Sequence, residues 1–133
     1  MDIPAKRVPS RLRRGFTLVE LLVVMAIVAV LLSIAAPRYF GHLDRAREAA
    51  LVETLAVTRD AIDKFRGDTG RYPADLDELV SRHYLRALPL DPVTEKRDTW
   101  TVDAPPENAG DGVADLHSGA PGKTRGGQAF SEL

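Results

Sequence analysis

The sequence predicts an α+β protein in which a long N-terminal helix, apolar in its first half, packs its second half on a small antiparallel β-sheet. Three observations carry this expectation: an apolar run over residues 16–36, a stripe of apolar residues at helical spacing from Leu51 to Phe65, and two short alternating segments late in the chain. The 133 residues, 44% hydrophobic and 28% charged, suit one small domain with an appendage rather than two full cores.

The first element is the run FTLVELLVVMAIVAVLLSIAA, residues 16–36, whose one charge is Glu20. At about 1.5 Å per residue such a helix matches the roughly 30 Å hydrocarbon layer of a bilayer. Lys6, Arg7, Arg11, Arg13 and Arg14 precede it, opposed only by Asp2. An excess of basic residues beside a span stays cytoplasmic, so the residues beyond Ala36 are placed across the membrane. A conventional secretory signal cut near Ser33-Ile34-Ala35 is the alternative, but its apolar region would be shorter, about 7–15 residues, and uncharged. Pro37 follows the run. It removes a backbone donor and crowds the preceding turn, so a kink or local melting is expected over residues 32–41, where Gly41 adds weakness.

The helical pattern resumes over about residues 38–66. Leu51, Leu55, Thr58, Ile62 and Phe65 recur in steps of four and three, with Leu43, Ala46, Ala50, Val57 and Ala61 beside them and Arg45, Arg47, Glu48, Glu53, Arg59, Asp60, Asp63 and Lys64 opposite. Gly67 and Gly70 mark the stop. Together the two segments make one helix of about 50 residues, roughly 75 Å long, more than a small domain can cover, so much of it meets lipid or other copies. Within the remaining region, residues 67–133, Asp75 with Glu78 opens a short capped helix reaching about His83. Pro89 and Pro92 impose turns. Residues 98–103 and 113–117 alternate like strands around the polar loop 104–112. Residues 119–128, rich in glycine and basic residues, read as a closing loop or a mobile tail.

The pattern Arg13-Arg14-Gly15-Phe16-Thr17-Leu18-Val19-Glu20-Leu21 resembles the leader and N-terminal helix of type IV pilins and pseudopilins. A second succession, Gly70-Arg71-Tyr72-Pro73, Tyr84-Leu85 and Leu88-Pro89-Leu90-Asp91-Pro92, is similar to that of the major pseudopilins of type II secretion. The two matches cover most of residues 13–92. The resemblance implies a leader, residues 1–15, removed by a prepilin peptidase between Gly15 and Phe16, with methylation of the Phe16 amine. It implies that residues 16–36 are kept as a transmembrane and polymerisation helix, and that residues 37–133 form a periplasmic domain of an inner-membrane protein. It also implies a structural rather than enzymatic role. The chain would form a helical homopolymer with minor pseudopilins, raised by an inner-membrane assembly platform and its ATPase, and serve secretion across the outer membrane. A type IV pilus subunit is the nearby alternative, and a membrane-anchored periplasmic enzyme or binding protein the alternative of another class.

The chemistry of single residues bears on these expectations. A carboxylate in a membrane run costs at least about 2.5–3.5 kcal/mol to insert, so Glu20 needs a partner. After cleavage Phe16 carries an ammonium one helical turn away, and the resemblance points to the Phe16 ammonium of a neighbouring subunit as the assembly contact. Calcium is a further implication of the resemblance; Asp111, Asp115 and Ser118 are the oxygens on offer. Against them, Pro121 stands where the family places an acidic residue, and Lys123 and Arg125 follow. There is no cysteine, which rules out disulfides and thiolate chemistry. His42, His83 and His117 form no metal-spaced pair in sequence and read as surface or capping residues. Removing residues 1–15 lowers Lys+Arg from 18 to 13 and Asp+Glu from 19 to 18, a formal charge of −5. Neither this acidic balance nor the glycine pattern of residues 119–127 supports nucleic-acid or nucleotide binding.

Overall fold

The computed structural model describes residues 2–7 and 15–133, so the leader residues Arg11, Arg13 and Arg14 lie outside the described residues. The chain divides into two compact units, Met1–Tyr39 and Phe40–Leu133. A single α-helix, α1 (Leu18–Thr69), contributes to both. Its hydrogen-bonded helix includes Pro37 and continues over residues 32–41; local melting, one of the two expected responses to the proline, does not occur. In the first unit every large apolar side chain from Leu18 to Ile34 is exposed. By length and composition this stretch can cross a membrane.

In the second unit α1 supplies most of the core. Leu51, Leu55, Thr58, Ile62 and Phe65 are each at most 1% exposed, the stripe read from the sequence. The adjoining stripe is narrower than expected. Ala61 is buried, whereas Ala46, Ala50 and Val57 face outward. The Thr58 hydroxyl satisfies itself by donating to the Thr54 carbonyl at 2.8 Å, so a polar residue within the stripe costs little. The helix passes Gly67 and ends at Thr69, because Gly70, with φ 75°, is the residue that takes the left-handed terminating turn. Its N–H donates to the Arg66 carbonyl at 2.8 Å.

Helix α2 (Leu76–Ser81) is capped by Asp75, whose carboxylate accepts from the Glu78 N–H at 2.8 Å. It stops two residues before the expected end because His83 takes φ 65°. Leu79 on α2 is fully buried against α1, and Tyr84 meets Phe65 edge-on at 5.3 Å between ring centroids. Strands β1 (Trp100–Asp103) and β2 (Asp115–Ser118) pair antiparallel with Trp100 opposite Ser118 and Asp103 opposite Asp115. Val113, expected in the second strand, donates its N–H to the Pro73 carbonyl instead, which delays the ladder. Single turns of 3-10 helix occupy Glu107–Ala109 and Phe130–Glu132.

Residues 119–128 form the closing loop rather than a free tail. The Thr124 N–H donates to the Gln128 carbonyl at 2.7 Å, Lys123 bridges Ala129, and Phe130 packs on the core. Glycine is required at Gly119, where a Cβ would lie 2.0 Å from the Thr99 carbonyl oxygen.

Candidate functional site

The N-terminal site begins with Gly15, Phe16 and Thr17, which precede α1 without regular structure. Helices start with unsatisfied N–H groups, and Thr17 answers one of them: its hydroxyl accepts from the Glu20 N–H at 3.2 Å. Glu20 returns the bond, its Oε2 accepting from the Thr17 N–H at 3.4 Å. This reciprocal pair is a capping box, and it places a negative side chain in the first turn where the helix dipole favours it. Phe16 remains 91% exposed. Glu20 therefore has a local role in starting the helix. Thr17 is the residue the sequence reading passed over, although Thr-x-x-Glu ahead of an apolar run is its signature.

The metal candidates lie on β2 and the loop before it. Period-two alternation turns Leu116 and Ser118 inward and leaves Asp115 and His117 on the other face. Asp115 and Ser118 are thus not brought together. Ser118 is fully buried, and its hydroxyl donates to the buried Asp91 carboxylate at 2.5 Å while accepting from the Ala120 N–H at 3.1 Å. Asp111 is exposed in the loop before β2, beside Arg71, Tyr72 and Ala74.

Asp115 belongs to a different group. Its Oδ1 accepts from Arg59 Nε at 2.6 Å and from the Leu116 N–H at 2.7 Å. Burial alone would raise its pKa, but the Arg59 bond, the Leu116 N–H and the nearby positive charge outweigh it and hold the carboxyl below its ordinary range. The same arginine donates to the carbonyls of Leu116 and Leu133. On the far side of Asp115 stands His117. Its Nε2 is 2.9 Å from Asp103 Oδ2 and 3.7 Å from Asp115 Oδ2, and its Nδ1 is 3.1 Å from the Leu133 carbonyl oxygen. Asp103 is the second residue missed from the sequence, because its approach to His117 depends on the β1–β2 register rather than on spacing along the chain.

Comparison with known proteins bears on the same N-terminal residues. Residues 10–36 match the model of the prokaryotic N-terminal methylation motif. The type II secretion system core protein G of Klebsiella pneumoniae is 34% identical, the match covering 60% of this chain and 69% of that protein. The Escherichia coli K12 protein of the same name is 30% identical over 82% of both chains. This chain belongs to the core protein G family. A third such pseudopilin, from Xanthomonas campestris, is 29% identical over 96% of this chain and 93% of its own length. The fimbrial protein EcpC of Eikenella corrodens is 32% identical over half of this chain and 43% of its own. No solved structure matches. In this pseudopilin the methylation motif takes in Gly15, Phe16, the Thr17–Glu20 capping box and the whole exposed apolar stretch.

Proposed function

We infer that this chain is a structural subunit of a type II secretion pseudopilus, held in the inner membrane until it is assembled. The observation that carries the reading is the first half of α1. Thirteen large apolar side chains from Leu18 to Ile34 are exposed, joined directly to an N-terminal methylation motif. Burying each is worth about 1 kcal/mol or more, so leaving them in water forfeits on the order of 10 kcal/mol, comparable to the whole stability of a small domain. Lipid covers them in the stored subunit and neighbouring helices in the filament. The basic leader stays cytoplasmic and residues 37–133 are periplasmic. Prepilin peptidase cuts between Gly15 and Phe16 and methylates Phe16, and Glu20 meets the Phe16 ammonium of the adjoining subunit. The filament is completed by minor pseudopilins and raised by the assembly platform and its ATPase, with no chemical reaction asked of the chain itself.

Intact mass and N-terminal sequencing of the protein taken from membranes test the processing step. Methylated Phe16 at the terminus supports it; a chain beginning near Ala36 overturns it. Glu20→Ala and a foreign membrane anchor test the assembly step. Both abolish filaments while residues 40–133 still fold, whereas an anchored enzyme or binding protein tolerates both. The likeness to a fimbrial protein supports a second reading, a type IV pilus subunit. Deletion of the chain separates the two by the phenotype lost, secretion in one case and surface fibres in the other.

A further inference from the structure

We propose that Asp103, Asp115 and His117 form a binding site for a divalent transition-metal ion of the zinc or nickel class. Their candidate ligand atoms all lie within 4.8 Å of one another. Two ligand atoms each about 2.1 Å from a common ion sit about 3.0 Å apart at a right angle and about 3.4 Å apart at a tetrahedral angle. The observed separations from His117 Nε2, 2.9 Å to Asp103 Oδ2 and 3.7 Å to Asp115 Oδ2, bracket that range, and the two carboxylates, within 4.8 Å of each other, close on an ion by rotation of the Asp103 side chain, which is 53% exposed.

The surroundings orient these donors. With an ion on Nε2 the imidazole proton sits on Nδ1 and is donated to the Leu133 backbone oxygen, 3.1 Å away. This is the carbonyl-held tautomer typical of metal-bound histidine. Arg59 fixes Asp115 through Oδ1 alone and leaves Oδ2 towards His117. The register places Asp103 directly opposite Asp115, a like-charge pairing that is unfavourable across a ladder and that a dication between them relieves. The imidazole nitrogen decides the class of ion. Calcium prefers six to eight oxygens, whereas one nitrogen and two carboxylate oxygens suit zinc, nickel or cobalt. The side chains of Asp103, Asp115 and His117 are 53%, 40% and 23% exposed, so water completes the coordination and the ion exchanges with solvent. The proposal does not rest on the pseudopilin reading, since it uses only the β1–β2 ladder and the residues around it.

The test is calorimetric titration of the full chain, EDTA-stripped in detergent, with zinc chloride and separately with nickel chloride. Binding of about one equivalent at micromolar concentration is expected. His117→Ala and Asp103→Asn each weaken it at least about tenfold, while the metal-free thermal midpoint of Asp103→Asn stays near that of the parent. Cobalt substitution adds a visible absorption band that is lost in both variants. A flat titration to millimolar metal overturns the proposal. So does binding that both variants retain, or displacement by an equal concentration of calcium.

Discussion

Replacing Asp91 by alanine removes the acceptor that joins the turn after Pro89 to β2. The carboxylate is fully buried. Its Oδ2 accepts from the Ser118 hydroxyl at 2.5 Å, and its Oδ1 accepts from the Val93 N–H at 2.8 Å and, more distantly, from the Thr94 N–H at 3.4 Å. Hydrogen bonds to a charged group contribute about 1.5–3 kcal/mol each, and a buried donor left without a partner costs about 1–3 kcal/mol. Counting the two short bonds, and offsetting the relief of no longer burying a charge, gives a net loss of about 3 kcal/mol. For a domain of under a hundred residues that lowers the thermal midpoint by more than about 10 °C. Asp91→Asn keeps an acceptor for Val93 and loses about half as much. Trp100 reports the change directly: its indole N–H donates to the Pro89 carbonyl at 2.8 Å, in the same turn, and it is the chain's one tryptophan. Fluorescence-detected melting of the full chain in detergent is the assay. If Asp91→Ala melts within about 2 °C of the parent, or if Asp91→Ala and Ser118→Ala prove additive in a double-mutant cycle, the buried carboxylate does not hold the turn to the strand.

Three further outcomes are expected. The Glu78 carboxyl is held at about 2, against an ordinary 4.5, chiefly by the Arg71 guanidinium and then by the Ala74 N–H. Its depressed pKa means that its contribution to stability is complete above pH 4.5 and disappears as the pH falls through about 2; denaturation midpoints of the parent over this window should fall more steeply than those of Glu78→Gln. Gly119→Ala forces a Cβ to 2.0 Å from the Thr99 carbonyl and destabilises by about 2–3 kcal/mol or more, measurable as a shift in urea midpoint. Arg59→Ala frees Asp115 and the carbonyls of Leu116 and Leu133. It costs about 1–2 kcal/mol, speeds amide exchange over residues 130–133 and moves the Asp115 carboxyl back up towards its ordinary range, which NMR titration reads.

What was legible in the sequence was what depends on residues near one another along the chain. The steps of four and three from Leu51 to Phe65 specify the buried face of α1, and the Asp75–Glu78 cap specifies the start of α2. Period two within Asp115–Ser118 was equally visible, and it puts Asp115 and Ser118 on opposite faces of the strand. The Thr17–Glu20 capping box was visible too, in Thr-x-x-Glu ahead of an apolar run, although the charge of Glu20 is the more conspicuous feature. The approach of Asp103 to His117, and of Arg59 to Asp115 56 positions later, was not legible. Those contacts arise from strand register and from the packing of β2 on α1, which no local pattern encodes.

The buried stripe on α1 takes only every third or fourth residue, and Val52 and Val57 between its members are about half exposed. Folding therefore places no demand on these two valines, and their apolar character is left for other selection to explain. A library of every residue but proline and glycine, which would weaken α1 itself, at Val52 and Val57, scored once for protease resistance and once for secretion, is expected to vary in the second score alone. Assembly defects at these positions would then be genetically separable from folding defects, so suppressor mutations could be mapped onto neighbouring subunits.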